Sequence, residues 1–124
     1  MELSTQTHLK ALRGLLMFRQ QGLQADVHAA EMARQLAARA EDREVTDRKD
    51  DAARGQSVEI DDAQAQRDLD ELRLTEAALY RMDCGRYGDC AACGEPIALQ
   101  RLLAQPAAER CAACQAAHEQ GLHR

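Results

Sequence analysis

At 124 residues the chain is one domain's worth of protein, or a small domain carrying an appendage. Aromatic side chains make up only 2% of it (Phe18, Tyr80 and Tyr87), which excludes a broad core anchored on large rings; the 45% apolar content is largely Ala and Leu and suits thin helix–helix seams. The net charge of −5, from 21 acidic against 16 basic side chains, argues against general affinity for phosphate backbones and makes a protein partner with a basic surface easier to accommodate.

In chain order, the first pattern is helical: Leu9, Leu12, Leu16, Leu23, Val27 and Ala30 recur at spacings of three, four or seven. Arg19 or Gln20 falls where an apolar residue is wanted, and Gly14 and Gly22 each cost roughly 1 kcal/mol against Ala, so the helix is expected while its continuity is less firmly specified. Residues 41–55 are highly charged and contain almost no seam residue; Asp47, Asp50 and Asp51 suit the N-cap or first turn of a following helix, where its dipole favours carboxylates. A second stripe, Val58, Ala65, Leu69, Leu72, Leu79 and Met82, predicts a helix from about residue 51 to 83, which would be ~50 Å long at ~1.5 Å per residue. A short polar connection between two such helices implies an antiparallel hairpin with residues 47–52 near its tip.

Both prolines, Pro96 and Pro106, lie among the cysteines, in a module expected over residues 88–114; residues 115–124 read as a short closing helix or tail. The expected fold is therefore mainly α: a long antiparallel helical hairpin, or coiled coil, over residues 1–84, and a small four-cysteine zinc-finger base with a C-terminal helix over 85–124.

Cys90-Ala91-Ala92-Cys93 is followed, after seventeen residues, by Cys111-Ala112-Ala113-Cys114. Two CxxC pairs at this separation form a zinc-site pattern, because each turn points two thiolates at one metal and two turns complete a tetrahedral shell. Such a shell has no open position for water or substrate, so one Zn2+ held there is structural. Gly94 supplies the permissive backbone that such knuckles use. No βαβ pattern surrounds either pair, which disfavours a thioredoxin-like redox role. Cys84 is read as a bystander. His118 follows the last ligand at CxxCxxxH spacing but has four thiolates to compete with, and His8, His28 and His123 carry no partner pattern. No basic region followed by an apolar run marks a signal peptide, and no stretch is apolar enough to span a membrane; with five cysteines this suggests a reducing cytoplasm.

Residues 85–115, GRYGDCAACGEPIALQRLLAQPAAERCAACQ, resemble the zinc finger of the DksA/TraR family, with Tyr87, Gly88, Gly94, Ile97, Arg101 and Leu102 matching alongside the four cysteines. Asp47-Arg48-Lys49-Asp50-Asp51-Ala52 fits that family's Asp-x-x-Asp-x-Ala motif at the place expected for the hairpin tip. The resemblance implies a non-enzymatic transcription regulator that enters the secondary channel of bacterial RNA polymerase. Asp47 and Asp50 would then perturb mobile elements near the catalytic centre, Ala52 would pack closely, and promoter open complexes would be weakened. It also implies that Arg67 and Arg101 are two of the cations that contact the alarmone ppGpp. Leu74 and Gln115 stand where lysines are expected and Gln105 where an arginine is, so weakened ppGpp dependence is expected. The N-terminal part is shorter than is typical of the family, which would reduce the base region. Neither sequence-specific DNA binding nor a membrane is expected as a partner, and a tip that threads a channel favours a monomer.

Two other readings stand beside this one. A DksA-like protein could occupy the channel, or serve as an adaptor, without altering initiation. A zinc-ribbon nucleic-acid binder would need a basic face with stacking aromatics, and the composition supplies neither in quantity. An enzyme is disfavoured because no nucleophile–base pattern appears and the acidic stretch lacks the spacing of a calcium loop.

Overall fold

The computed structural model describes residues 3–41 and 48–122. They form four helices: α1 (Leu3–Glu41), α2 (Arg48–Asp83), α3 (Leu99–Ala104) and α4 (Ala112–Leu122). Among the described residues there is no strand, only an isolated antiparallel bridge between Asp89 and Pro96. The fold is mainly α, an antiparallel helical hairpin with a small cysteine module and a closing helix, as the two stripes and the cysteine spacing predict.

The chain divides into two compact units, residues 1–20 with 73–124, and residues 21–72. In the first unit Leu12 and Leu16 of α1 are buried with Ala78 and Met82 of α2, and the same cluster takes in Tyr87, Cys90, Ile97 and Leu102 of the cysteine module. Leu9 and Leu79 pack against its edge. Thr5 and Thr75 are also buried. Neither was part of the expected seams, because a pattern of apolar residues passes over a threonine whose methyl group can serve as seam filler. An ion pair at 3.1 Å joins Arg13 to Asp83 at the rim.

The second unit is packed more thinly. Leu23 and Ala65 are buried, while Val27, Ala30, Leu69 and Leu72 are half-buried. Residues 31–40 are exposed throughout, as are 59–64. Ala30, Ala33, Ala37 and Ala65 line a shallow recess rather than interlocking, since an alanine carries only a methyl group across the gap. Arg34 and Asp62 pair across it at 3.2 Å, an exposed contact worth at most about 1 kcal/mol.

Helix α1 runs without interruption through Gly14 and Gly22, and Gln20, which falls where an apolar residue is wanted, is half-buried. Helix α2 begins at Arg48, three residues before the expected start, because the charged stretch 48–51 joins the helix rather than the connection. A Cβ at either Gly14 or Gly22 would meet nothing within 4 Å. Replacing either glycine with alanine is therefore expected to raise unfolding free energy by about 0.5–1 kcal/mol through the lower entropy of the unfolded chain, measured by urea denaturation. Destabilisation by either substitution would mean that these glycines serve a contact the fold does not show.

Candidate metal centre

Helix α2 ends in a glycine-dependent reversal that aims the chain into the cysteine module. The Arg86 N–H donates to the Arg81 carbonyl at 2.8 Å and the Gly85 N–H to the Met82 carbonyl at 3.1 Å, with Gly85 in the left-handed region at φ 71°. This paired arrangement satisfies carbonyls that the last helical turn leaves open, and a side chain at Gly85 would be strained in it.

The first knuckle follows at once. The Gly94 N–H donates to the Cys90 carbonyl at 2.9 Å and the Cys90 N–H to the Glu95 carbonyl at 2.8 Å, folding Cys90 and Cys93 onto one side of a tight turn. Gly94 takes φ 78°, the conformation its identity permits. The Ile97 N–H donates to the Gly88 carbonyl at 2.7 Å and closes the base of the loop. Beyond α3, the second pair comes from the start of α4: Cys111 immediately precedes it and Cys114 lies in its first turn.

The two knuckles meet. The sulfurs of Cys90, Cys93, Cys111 and Cys114 all lie within 4.8 Å of one another, and the Cys93 and Cys111 sulfurs are 3.9 Å apart. A tetrahedral zinc with Zn–S bonds of about 2.3 Å requires sulfur–sulfur edges of about 3.8 Å, so the donor set and its spacing fit one structural Zn2+. With four thiolates the shell is closed, leaving no coordination position for a substrate. Cys90 is buried and Cys93 exposed, with Cys111 and Cys114 between. The Cys111 backbone, followed by that of Cys93, holds the Cys90 thiol down to about 6, whereas the neighbouring sulfurs, Cys111 first, push Cys114 up to about 12. Four thiols this close cannot all ionise without a cation among them, and zinc supplies that charge when bound.

Tyr87 is the one aromatic ring buried among the described residues; Phe18 and Tyr80 are exposed, at 79% and 63%. Its hydroxyl donates to the Pro106 carbonyl at 2.7 Å, tying the segment before the first knuckle to the strap before the second. Burial pushes the Tyr87 hydroxyl up to about 12.

The other expected site residues are placed as follows. Cys84 is exposed and outside the sulfur cluster, and His118 is exposed on α4, also outside it. Asp47 lies outside the described residues; Asp50 and Ala52 fall in the first two turns of α2. Arg67 belongs to the second unit and Arg101 to the first. The Arg67 guanidinium donates to the Gln64 side-chain carbonyl at 2.9 Å, and Arg101 Nε donates to the Arg110 backbone carbonyl at 3.0 Å. Sequence reading passed over Arg81, whose guanidinium is half-buried against the module. An arginine in a helix's last turn ordinarily signals only a favourable dipole contact, so nothing in the sequence singled it out.

Two outcomes follow. Removing zinc with a strong chelator is expected to bring the amides of Ala91, Gly94 and Ile97 close to unfolded hydrogen-exchange rates, because their partners lie within or between the knuckles; retained protection would show that the module folds without metal. Tyr87→Phe should cost about 1 kcal/mol of stability through the lost hydrogen bond. The wild type carries a further signature: unfolded tyrosine ionises near pH 10 and Tyr87 near 12, so this group's contribution is intact below about pH 10 and is lost as the pH rises towards 12. The Phe variant should lack that component of alkaline destabilisation in paired denaturation series.

Comparison with known proteins agrees with this construction. Residues 85–120 match the prokaryotic dksA/traR C4-type zinc finger. The RNA polymerase-binding transcription factor DksA of Haemophilus influenzae is 36% identical over 58 residues, which is 47% of this chain and 39% of that protein, so the alignment spans about two-fifths of the relative's length. The solved structure of the transcription factor DksA2 from Pseudomonas aeruginosa superposes with a TM-score of 0.74 at 29% identity, covering 95% of this chain and 88% of that one. With a sulfur cluster that fits one structural zinc and a fold likeness that extends over nearly the whole chain, this protein carries a dksA/traR C4-type zinc finger at residues 85–120 and is DksA-like in fold.

Proposed function

We propose that the protein is a transcription regulator that binds bacterial RNA polymerase through the secondary channel and shortens the life of promoter open complexes, catalysing no reaction itself. The observation that carries this reading is the fold likeness over 95% of the chain to the transcription factor DksA2. The Haemophilus relative, an RNA polymerase-binding transcription factor, supplies the partner. In this reading residues 1–84 are the hairpin that enters the channel and residues 85–124 the zinc-bearing base.

Asp47, Asp50 and Ala52 are the residues that act on the polymerase. Asp50 and Ala52 stand in the first two turns of α2 and Asp47 immediately precedes it in sequence, all within the charged stretch 41–55. Carboxylates presented on a helical support concentrate negative charge, and a channel lined by cations is the environment that would reward it. Regulation follows if the protein binds one polymerase–promoter state better than another and so shifts their equilibrium. Ala52 contributes by its small size, permitting close approach.

Dependence on ppGpp is weak in this reading. Of the cations implied by the family resemblance, Arg67 and Arg101 remain, while Leu74, Gln105 and Gln115 carry no charge. Arg101 already donates its Nε to a backbone carbonyl. Fewer free cations give a polyphosphate fewer charge-assisted hydrogen bonds. The protein acts as a monomer, without sequence-specific DNA contacts of its own.

The test is the lifetime of competitor-challenged open complexes on a ribosomal RNA promoter, without ppGpp. The wild type should shorten that lifetime, while Asp50→Asn should bind polymerase but leave it unchanged. Equal effects from both proteins would move the activity away from the acidic motif. No effect from either, despite polymerase binding, would favour a passive occupant of the channel. Adding ppGpp should change the wild-type effect by less than about threefold, a shift of under about 0.7 kcal/mol in coupling free energy; large potentiation would overturn the weakened dependence.

A further inference from the structure

The strap between α3 and α4, residues 105–111, has no regular secondary structure among its own residues, yet it places one of the two cysteine pairs. A segment of this kind needs partners for its backbone carbonyls, and their positions determine how firmly it is held. Four of those carbonyls receive donors from different parts of the first unit. Tyr87 Oη donates to Pro106 at 2.7 Å, Arg81 Nη2 to Ala108 at 3.5 Å, the Ala91 N–H to Glu109 at 2.8 Å and Arg101 Nε to Arg110 at 3.0 Å.

Two of these donors are guanidinium groups, and their placement matters for the sulfurs. The Arg110 carbonyl belongs to the peptide bond that joins Arg110 to Cys111, so the Arg101 hydrogen bond fixes the rotation of the peptide carrying the third cysteine. The Glu109 carbonyl is joined to Ala91, which lies between Cys90 and Cys93 in the first knuckle. Arg81 reaches the intervening stretch from the α2 side; burial lowers its pKa, and the negative charge of Glu109 offsets only part of that cost. Glu109 is itself held at 2.9 Å by Arg110. Arg81 Nε is buried without a hydrogen-bond partner among the described residues, a cost that only a closely fitted position would sustain.

We infer that Arg101, assisted by Arg81, is a positioning residue of the zinc centre: the two side chains hold the strap so that Cys111 and Cys114 meet Cys90 and Cys93 at tetrahedral spacing. Neither arginine touches the sulfurs. Each acts through a backbone carbonyl, as outer-shell partners of metal ligands do. Arg101 is better suited than a lysine would be, since its planar fork fixes the direction of the Nε–H, whereas an ammonium can swing away. Leu102, fully buried, anchors α3 in the core and so sets the position from which Arg101 reaches. This inference is independent of the polymerase reading.

The experiment uses the full chain loaded with one zinc and challenged with excess 4-(2-pyridylazo)resorcinol, which reports released metal by colour. Arg101→Gln is expected to release zinc roughly ten- to hundredfold faster than wild type, with Arg81→Met in the same direction and Arg101→Lys between wild type and Arg101→Gln. Arg86→Gln, at an exposed position, removes the same charge and serves as control. The same variants loaded with cobalt(II) separate positioning from a general loss of fold stability. Their visible d–d bands report the geometry of the four sulfurs, and helical content is checked by circular dichroism on the same samples. A shifted or broadened band in Arg101→Gln at unchanged helical content supports the inference. Release within about twofold of the Arg86→Gln control would overturn it, because outer-shell losses are larger than that. Faster release with a band superimposable on wild type would also overturn it, assigning Arg101 to the stability of the module alone.

Discussion

Four sulfurs drawn within 4.8 Å of one another repel as soon as they ionise, and a single divalent cation relieves all of that repulsion at once. The first unit depends on this exchange. Its buried cluster includes Cys90 itself, with Cys111 and Cys114 at the margin, so the metal ligands are also core side chains. A chain with one buried aromatic ring and short seams of Leu, Ala and Met has little other means of holding two irregular loops against a pair of helix ends. Metal coordination supplies the cross-link that a larger protein would obtain from apolar burial.

The cross-link also fits the hydrogen bonds that run between loops, beside those within each knuckle. Ala91 to Glu109 and Tyr87 to Pro106 join the first knuckle region to the strap, Arg101 to Arg110 joins α3 to it, and each satisfies a backbone group that regular structure would otherwise have paired. The left-handed glycines at 85 and 94 make the sharp reversals that bring these groups into range. Away from the module the described hairpin has its apolar seam and exposed ion pairs such as Arg34–Asp62.

Much of this was legible in the sequence, and for identifiable reasons. The CxxC pairs announce themselves because metal chemistry demands fixed residue types at short fixed spacing. Leu12, Leu16, Leu23, Ala65 and Met82 were legible through helical periodicity, and all five are buried. Thr5 and Thr75 were not, because the same periodicity is scored on apolar residues and their burial depends on what lies opposite. Helix continuity through Gly14 and Gly22 was underestimated, since local propensity weighs only about 1 kcal/mol against the seam that spans them. The strap was invisible for a different reason. Its partners, Arg81 and Tyr87, are separated from it by 27 and 19 residues, and no local pattern records a side chain that reaches a distant carbonyl.

Residues 31–40 and 59–64 are exposed along their whole length, and this sets a division of labour in how the sequence can change. Substitutions at exposed helical positions usually alter stability by no more than about 0.5 kcal/mol, so these stretches can drift or be redesigned with little penalty in folding. The cysteine module has less such freedom at its four sulfur donors and at the buried Tyr87, Ile97 and Leu102, which set the core and hold the loops in place. Mutational tolerance is thus concentrated in the second unit and intolerance in the first. A library confined to residues 31–40 and 59–64 would vary the hairpin's surface chemistry while leaving the metal-held base untouched.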